Sequence, residues 1–128
     1  MSRRLQILGS ILGGLAVLLG AFGAHGLEKL VDAEAIETFK TGVTYQMYHA
    51  FFLFVVSLFS VSDTLKGCIF WCVLIGIILF SGSIYLLALN AITSFDFATI
   101  ALLTPLGGTL LIISWTLLII SLLKNKAS

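Results

Sequence analysis

The sequence predicts an all-α integral membrane protein: a four-helix bundle forming one membrane domain over residues 1–128. Three observations carry this reading. Four long apolar runs, Leu5–Ala24, Val43–Val61, Cys68–Leu89 and Ala98–Leu123, contain no Asp, Glu, Lys or Arg. Each reaches the roughly 20 residues that a helix needs to cross the hydrocarbon core. The chain is 59% hydrophobic and 10% charged, with a mean hydropathy of +1.15. A small soluble domain leaves too much of its chain exposed to hide that much apolar surface.

The first run follows Arg3 and Arg4. Its apolar stretch exceeds the roughly 7–15 residues of a signal-peptide core, so it reads as an uncleaved anchor. Gly9, Gly13, Ala16, Gly20 and Ala24 recur every three or four residues along one face. Such a face admits a close helix neighbour. The Gly9/Gly13/Gly20 face is thus offered to another helix of the chain, to a second copy in a homo-oligomer, or to another membrane protein. Gly26 is placed to end the helix.

A polar stretch, His25–Thr44, follows. From Asp32, a candidate N-cap, helical periodicity returns. Ala35 stands where a capping box would carry Glu. Ile36, Phe39, Val43, Met47 and Ala50 form one stripe, with Glu34, Glu37, Thr38, Thr41, Tyr45, Tyr48 and His49 opposite. The stripe runs unbroken into the second apolar run. One helix from Asp32 to about Val61 is therefore expected, amphipathic at its start. A short link, about Ser62–Gly67, makes the second and third spans a hairpin. The fourth run contains Pro105, Gly107 and Gly108. Proline removes a donor and clashes with the preceding turn. A kink is expected at Thr104-Pro105, with a short outer segment over 96–103 and the span proper over 106–123.

Charge sets orientation. With four spans, Arg3, Arg4, Lys66, Lys124 and Lys126 share one side, and only Lys29 and Lys40 lie on the other. Five against two places both termini in the cytoplasm. A net charge of +1 without a basic patch argues against nucleic-acid partners. The partner the composition names is the lipid bilayer.

The polar residues gather toward the outer side: His25, Thr41, Tyr45, Gln46, Tyr48, His49, Ser81, Ser83, Tyr85, Asn90, Asp96 and Thr104. Polar groups at membrane depth face a bundle interior or a water-filled cavity. An outward-facing polar pocket of His25, Tyr45, Gln46, His49, Ser81, Tyr85 and Asn90 is the candidate ligand site. His25 and His49 suit metal binding, proton relay or packing against backbone carbonyls. Tyr45 and Tyr48 also suit an aromatic belt. Cys68 and Cys72 share a helix face, but two thiols fall short of the four ligands of a zinc site. No catalytic triad order, phosphate-binding glycine loop or cofactor motif is legible, so neither a catalytic residue nor a metal ligand is assigned. No span carries a carboxylate, which counts against ion-coupled transport.

The strings Gly20-Ala21-Phe22-Gly23-Ala24-His25-Gly26-Leu27 and Thr41-Gly42-Val43-Thr44-Tyr45-Gln46-Met47-Tyr48-His49-Ala50 resemble two signatures of one family. Phe80-Ser81-Gly82-Ser83-Ile84-Tyr85 and Thr104-Pro105-Leu106-Gly107-Gly108 resemble its third and fourth, in order. It is the small membrane protein family known as domain of unknown function 423, to which eukaryotic transmembrane protein 256 looks related. The resemblance implies a bacterial, multi-pass inner-membrane protein. It brings no activity and no catalytic residue with it. Three functions remain in contention: a non-enzymatic structural or accessory protein, a binding or transport module using the outer pocket, and a membrane-embedded enzyme using His25 and His49.

Overall fold

The computed structural model describes residues 1–90 and 98–125. Asp96, Lys126 and the start of the expected outer segment lie outside them. The described residues are almost wholly helical: α1 Ser2–His25, α2 Ala33–Leu58, α3 Asp63–Ala88 and α4 Leu103–Asn125. Short 3-10 turns, Leu27–Lys29 and Ala98–Leu102, follow α1 and precede α4.

Local chemistry explains the boundaries. The Asp32 side chain accepts a hydrogen bond from the Ala35 backbone N–H at 2.9 Å and so starts α2. From there α2 runs without interruption to Leu58, so the amphipathic start and the apolar remainder are one helix. Ser62 caps α3 in the same way, through Leu65 N–H at 3.2 Å, with Asp63 in the first turn. That cap starts α3 several residues before the apolar run does and shortens the link to residues 59–62. Gly26 ends α1 at φ −88°, without the left-handed turn that glycine often supplies there. Glycine is needed instead for room: a Cβ at this position would lie 2.9 Å from the Phe22 ring.

The break expected at Thr104-Pro105 falls slightly earlier. The chain passes from 3-10 to α geometry between Leu102 and Leu103, and Pro105 sits in the first turn of α4. A first-turn residue has no intrahelical acceptor for its N–H, so proline costs little there.

Each helix packs along the next in sequence: α1 on α2, α2 on α3, α3 on α4, with α1 also reaching α3. Small residues set these seams. The α1 stripe meets α2, where a Cβ on Gly9 would lie 2.9 Å from the Ala50 carbonyl oxygen. Lower down the stripe, Gly20 faces Val43 and Gly23 faces the Phe39 ring. The Gly9/Gly13/Gly20 face offered by the sequence to a second copy or a partner is therefore covered by α2 of the same chain. Gly107 and Gly76 bring α4 and α3 together, and Gly42 opens α2 to Ile84 and Tyr85 of α3. Leu5, Leu53, Val56, Ile69 and Val73 are fully shielded at the centre of the bundle.

The exterior is apolar. Ile7, Ile11, Val17, Leu18, Leu58, Trp71, Ile78, Ile112 and Leu123 all present large exposed side chains. A water-soluble monomer does not carry such a surface around its girth. Among the described residues, three helical stretches, Ser2–Lys29, Asp63–Ala88 and Ile100–Lys124, are long and apolar enough to cross a membrane. The fourth long helix, α2, matches them in length with 26 residues but carries Gln46, His49 and a charged first turn.

Candidate functional site: the groove between α2 and α4

The polar residues of the interior do not converge on one pocket. They form separate bonds between helices. Gln46, on α2, is 3% exposed and joins three helices. Its Nε2 donates to the Leu12 carbonyl on α1 at 2.8 Å, and its Oε1 accepts from the Tyr85 hydroxyl on α3 at 2.6 Å. Only this amide orientation satisfies both partners, because a carbonyl cannot donate. The Ser81 hydroxyl donates to the Gly42 carbonyl at 2.8 Å, at the point where Gly42 lets α3 close on α2. The Ser83 hydroxyl contacts Thr104 Oγ1 and ties α3 to the start of α4. Among the described residues, no buried side-chain nitrogen or oxygen lacks a partner.

His25 and His49 belong to different levels of the bundle. His25 is exposed at the end of α1. Because Gly23 faces Phe39 and α1 runs antiparallel to α2, His25 lies level with about Glu37, near the start of α2. His49 is about 12 residues further along α2, or about 18 Å at helical rise. Asn90 lines a shallow recess with Asp32, Glu34 and Thr38, at the same end as His25. Of the seven candidate ligand residues, Tyr45 and His49 share one recess, Gln46, Tyr85 and Ser81 make interhelical bonds, and His25 and Asn90 stand at the end of the bundle.

His49 is 4% exposed, and both its ring nitrogens are engaged. Nδ1 lies 2.8 Å from the Tyr45 carbonyl, and Nε2 lies 3.1 Å from Trp115 Nε1 on α4. A carbonyl only accepts and an indole N–H only donates. The proton therefore sits on Nδ1, the ring is neutral, and Nε2 receives the indole N–H. Neither nitrogen keeps a free lone pair for a metal ion. Among the described residues, no three His, Cys, Asp or Glu side chains are grouped to hold one. Cys68 and Cys72 are free thiols at the surface and half-buried, respectively.

Trp115 was not marked as a site residue by the sequence. Its ring packs against Phe52, with centroids 4.1 Å apart and the planes tilted by 35°, and stands edge-on to His49. Together these rings bridge α2 and α4, whose backbones are not closely packed. Beside them opens a groove of about 480 Å³, lined by Tyr45, Tyr48, His49, Phe51, Phe52, Val55, Trp115 and Leu118. On the other side of the His49–Trp115 pair, a recess of about 310 Å³ continues past Phe80, Gly108 and Ile112. The walls are almost entirely apolar. The signal available in the sequence was Trp115 itself: an indole N–H deep in a span has to find an acceptor.

Residues 19–108 match the family profile described as "Protein of unknown function (DUF423)". The chain belongs to the DUF423 family. It is 43% identical over 123 residues to the UPF0382 membrane protein YwdK of Bacillus subtilis (strain 168), covering 92% of this chain and 94% of that protein. It is 38% identical over 130 residues to a UPF0382 membrane protein of Haemophilus influenzae, covering 99% of each. The UPF0382 membrane protein SSP2132 of Staphylococcus saprophyticus is 39% identical over 119 residues, covering 92% of this chain and 95% of that protein. No solved structure matches. The names of these DUF423 relatives agree with the apolar exterior: this is a membrane protein.

Proposed function

We propose that this DUF423 chain is a non-enzymatic membrane protein that binds a small, largely apolar molecule in the groove between α2 and α4. The observation that carries the reading is the groove itself, walled by four aromatic rings and floored by a neutral His49–Trp115 pair. Clefts of this size and lining are the usual form of a small-molecule site. A hydroxyl is the head group that suits the pair. It can accept from the Trp115 N–H and donate to His49 Nε2, so entering between them leaves neither group unpaired. A lipophilic alcohol is thus the ligand class that fits. The candidate residues Tyr45 and His49 then serve the ligand, while Gln46, Ser81 and Tyr85 hold the helices.

Val55 lines the groove and is 47% exposed, so Val55→Trp should fill the groove without entering the core. Organic extracts of the purified parent protein are expected to contain a small molecule that the Val55→Trp extract lacks. Equal extracts from the two proteins would refute the reading.

The proposal includes four spans in the bacterial inner membrane, with α2 as the second span and both termini cytoplasmic. Its support is the five-to-two distribution of Lys and Arg between the two ends. Reporter fusions at each terminus should give a cytoplasmic signal, and a periplasmic signal at either one overturns the orientation.

A further inference from the structure

A second recess lies away from the α2–α4 groove. Arg4, Ile7, Leu8, Ile11 and Phe70 line a furrow of about 150 Å³ between α1 and α3. Arg4, Ile7, Leu8 and Ile11 stand at i, i+3, i+4 and i+7, so they form one stripe running from the end of α1 into the apolar belt. Phe70 closes the far wall, and its ring meets the Trp71 ring edge-on with centroids 5.2 Å apart. Arg4 is exposed and has no carboxylate partner among the described residues.

The end of the bundle that holds Arg4 is strongly cationic. Among the described residues, Arg3, Arg4, Lys66 and Lys124 gather there against the one side-chain carboxylate of Asp63. That carboxylate already lies 3.8 Å from the Met1 ammonium. Lys66 is 6% exposed and is held by neutral acceptors only, the Ser2 hydroxyl at 2.7 Å and the Ser57 carbonyl at 3.2 Å. Among the described residues, no carboxylate pairs with it.

We propose that Arg4 and this furrow bind one anionic phospholipid, with the phosphate on the Arg4 guanidinium and the upper part of one acyl chain along Ile7, Leu8, Ile11 and Phe70. The two halves of the site call for the two halves of such a lipid. A guanidinium presents a fork of donors that matches phosphate oxygens. A soluble anion would leave the apolar track unused, and a zwitterionic lipid would leave the cationic end uncompensated. A basic side chain at an anionic membrane surface favours association about fivefold.

Trp71 is the natural reporter, because its ring touches the furrow wall. The chain has two tryptophans, so Trp115→Phe leaves Trp71 alone. In phosphatidylcholine vesicles, brominated phosphatidylglycerol should quench Trp71 with an apparent association about fivefold stronger than brominated phosphatidylcholine at equal mole fraction. Arg4→Gln should abolish that preference, and Lys124→Gln should retain it. Equal quenching by the two lipids overturns the proposal. So does a preference that survives Arg4→Gln, or stronger quenching by a brominated fatty acid than by the phospholipid. The unsubstituted chain in detergent supplies an independent reading: phosphatidylglycerol should raise its Tm above the value in phosphatidylcholine, and Arg4→Gln should erase the difference. Absence of any difference in the parent chain likewise overturns the proposal. The α2–α4 groove is untouched by Arg4→Gln, so extraction of its ligand separates failure of this site from failure of that one.

Discussion

Gly107→Ala is expected to destabilise the protein by about 3 kcal/mol, the upper part of the usual range for overpacking. A methyl group at Gly107 would collide with the Phe80 backbone nitrogen, and would lie 2.7 Å from the Gly76 carbonyl oxygen and 2.8 Å from the Leu79 carbonyl carbon. These are main-chain atoms of α3. They cannot swing aside as a side chain can, so α4 would have to move away along the whole seam. Gly82→Ala is the control, because nothing lies within 4 Å of the position its Cβ would take. It should be neutral, or stabilising by no more than about 1 kcal/mol through reduced freedom of the unfolded chain. Thermal unfolding in mild detergent distinguishes the two. Equal Tm values would mean that α3 and α4 are not in backbone contact at this point.

Gln46→Leu should have the second largest effect, a loss of about 1–3 kcal/mol. It removes the acceptor for Tyr85 and the donor to Leu12 together, and leaves the phenol to find a new partner in an apolar surrounding. Hydrogen bonds between membrane helices average nearer 0.6 kcal/mol by double-mutant cycles. The excess over that figure measures the cost of the orphaned phenol rather than the value of a single bond. Tyr85→Phe alone should cost less, since the Gln46 amide keeps its bond to α1. The double substitution Gln46→Leu/Tyr85→Phe should be more stable than the sum of the single changes predicts, because no unpaired phenol then remains. Strict additivity would show that the two side chains are not coupled.

Much of the helical architecture was legible in the sequence, because it depends on local features. Asp32 caps α2 as a short acceptor before a periodic run should. The stripe Phe39, Val43, Met47 and Ala50 does meet α1, through contacts from Gly23 to Gly9. The all-α membrane fold follows from apolar runs that are visible without any tertiary information. The polar site was less legible, and α2 shows why. Periodicity identified one buried face and assigned His49 to the opposite, polar side. In the bundle α2 touches α1 and α3 and reaches α4 through large rings, so most of its circumference is covered. Gln46 and His49 are buried on faces that a single-stripe analysis leaves outside. The His49–Trp115 bond joins residues 66 positions apart, and no local pattern encodes a pairing over that separation. The grouping of His25 with His49 assumed that residues near one side of the membrane share one depth. The glycine register of α1 against α2 separates them by several helical turns.

The sequential order of the seams has a consequence for biosynthesis. Every extensive seam among the described residues joins neighbours in the chain, α1 with α2, α2 with α3 and α3 with α4. A helix leaving the ribosome therefore meets its main partner as the most recently made one, already in place. Assembly can proceed in the direction of translation without waiting for the last helix to close a ring, and the entropic cost of closure is smallest at the α2–α3 link. The 59–62 link, only four residues long, holds α3 beside α2 from the moment both exist. Only the indole of Trp115 must wait: it arrives with α4, last of all, and its bond to His49 completes the floor of the groove after the rest of the scaffold has formed.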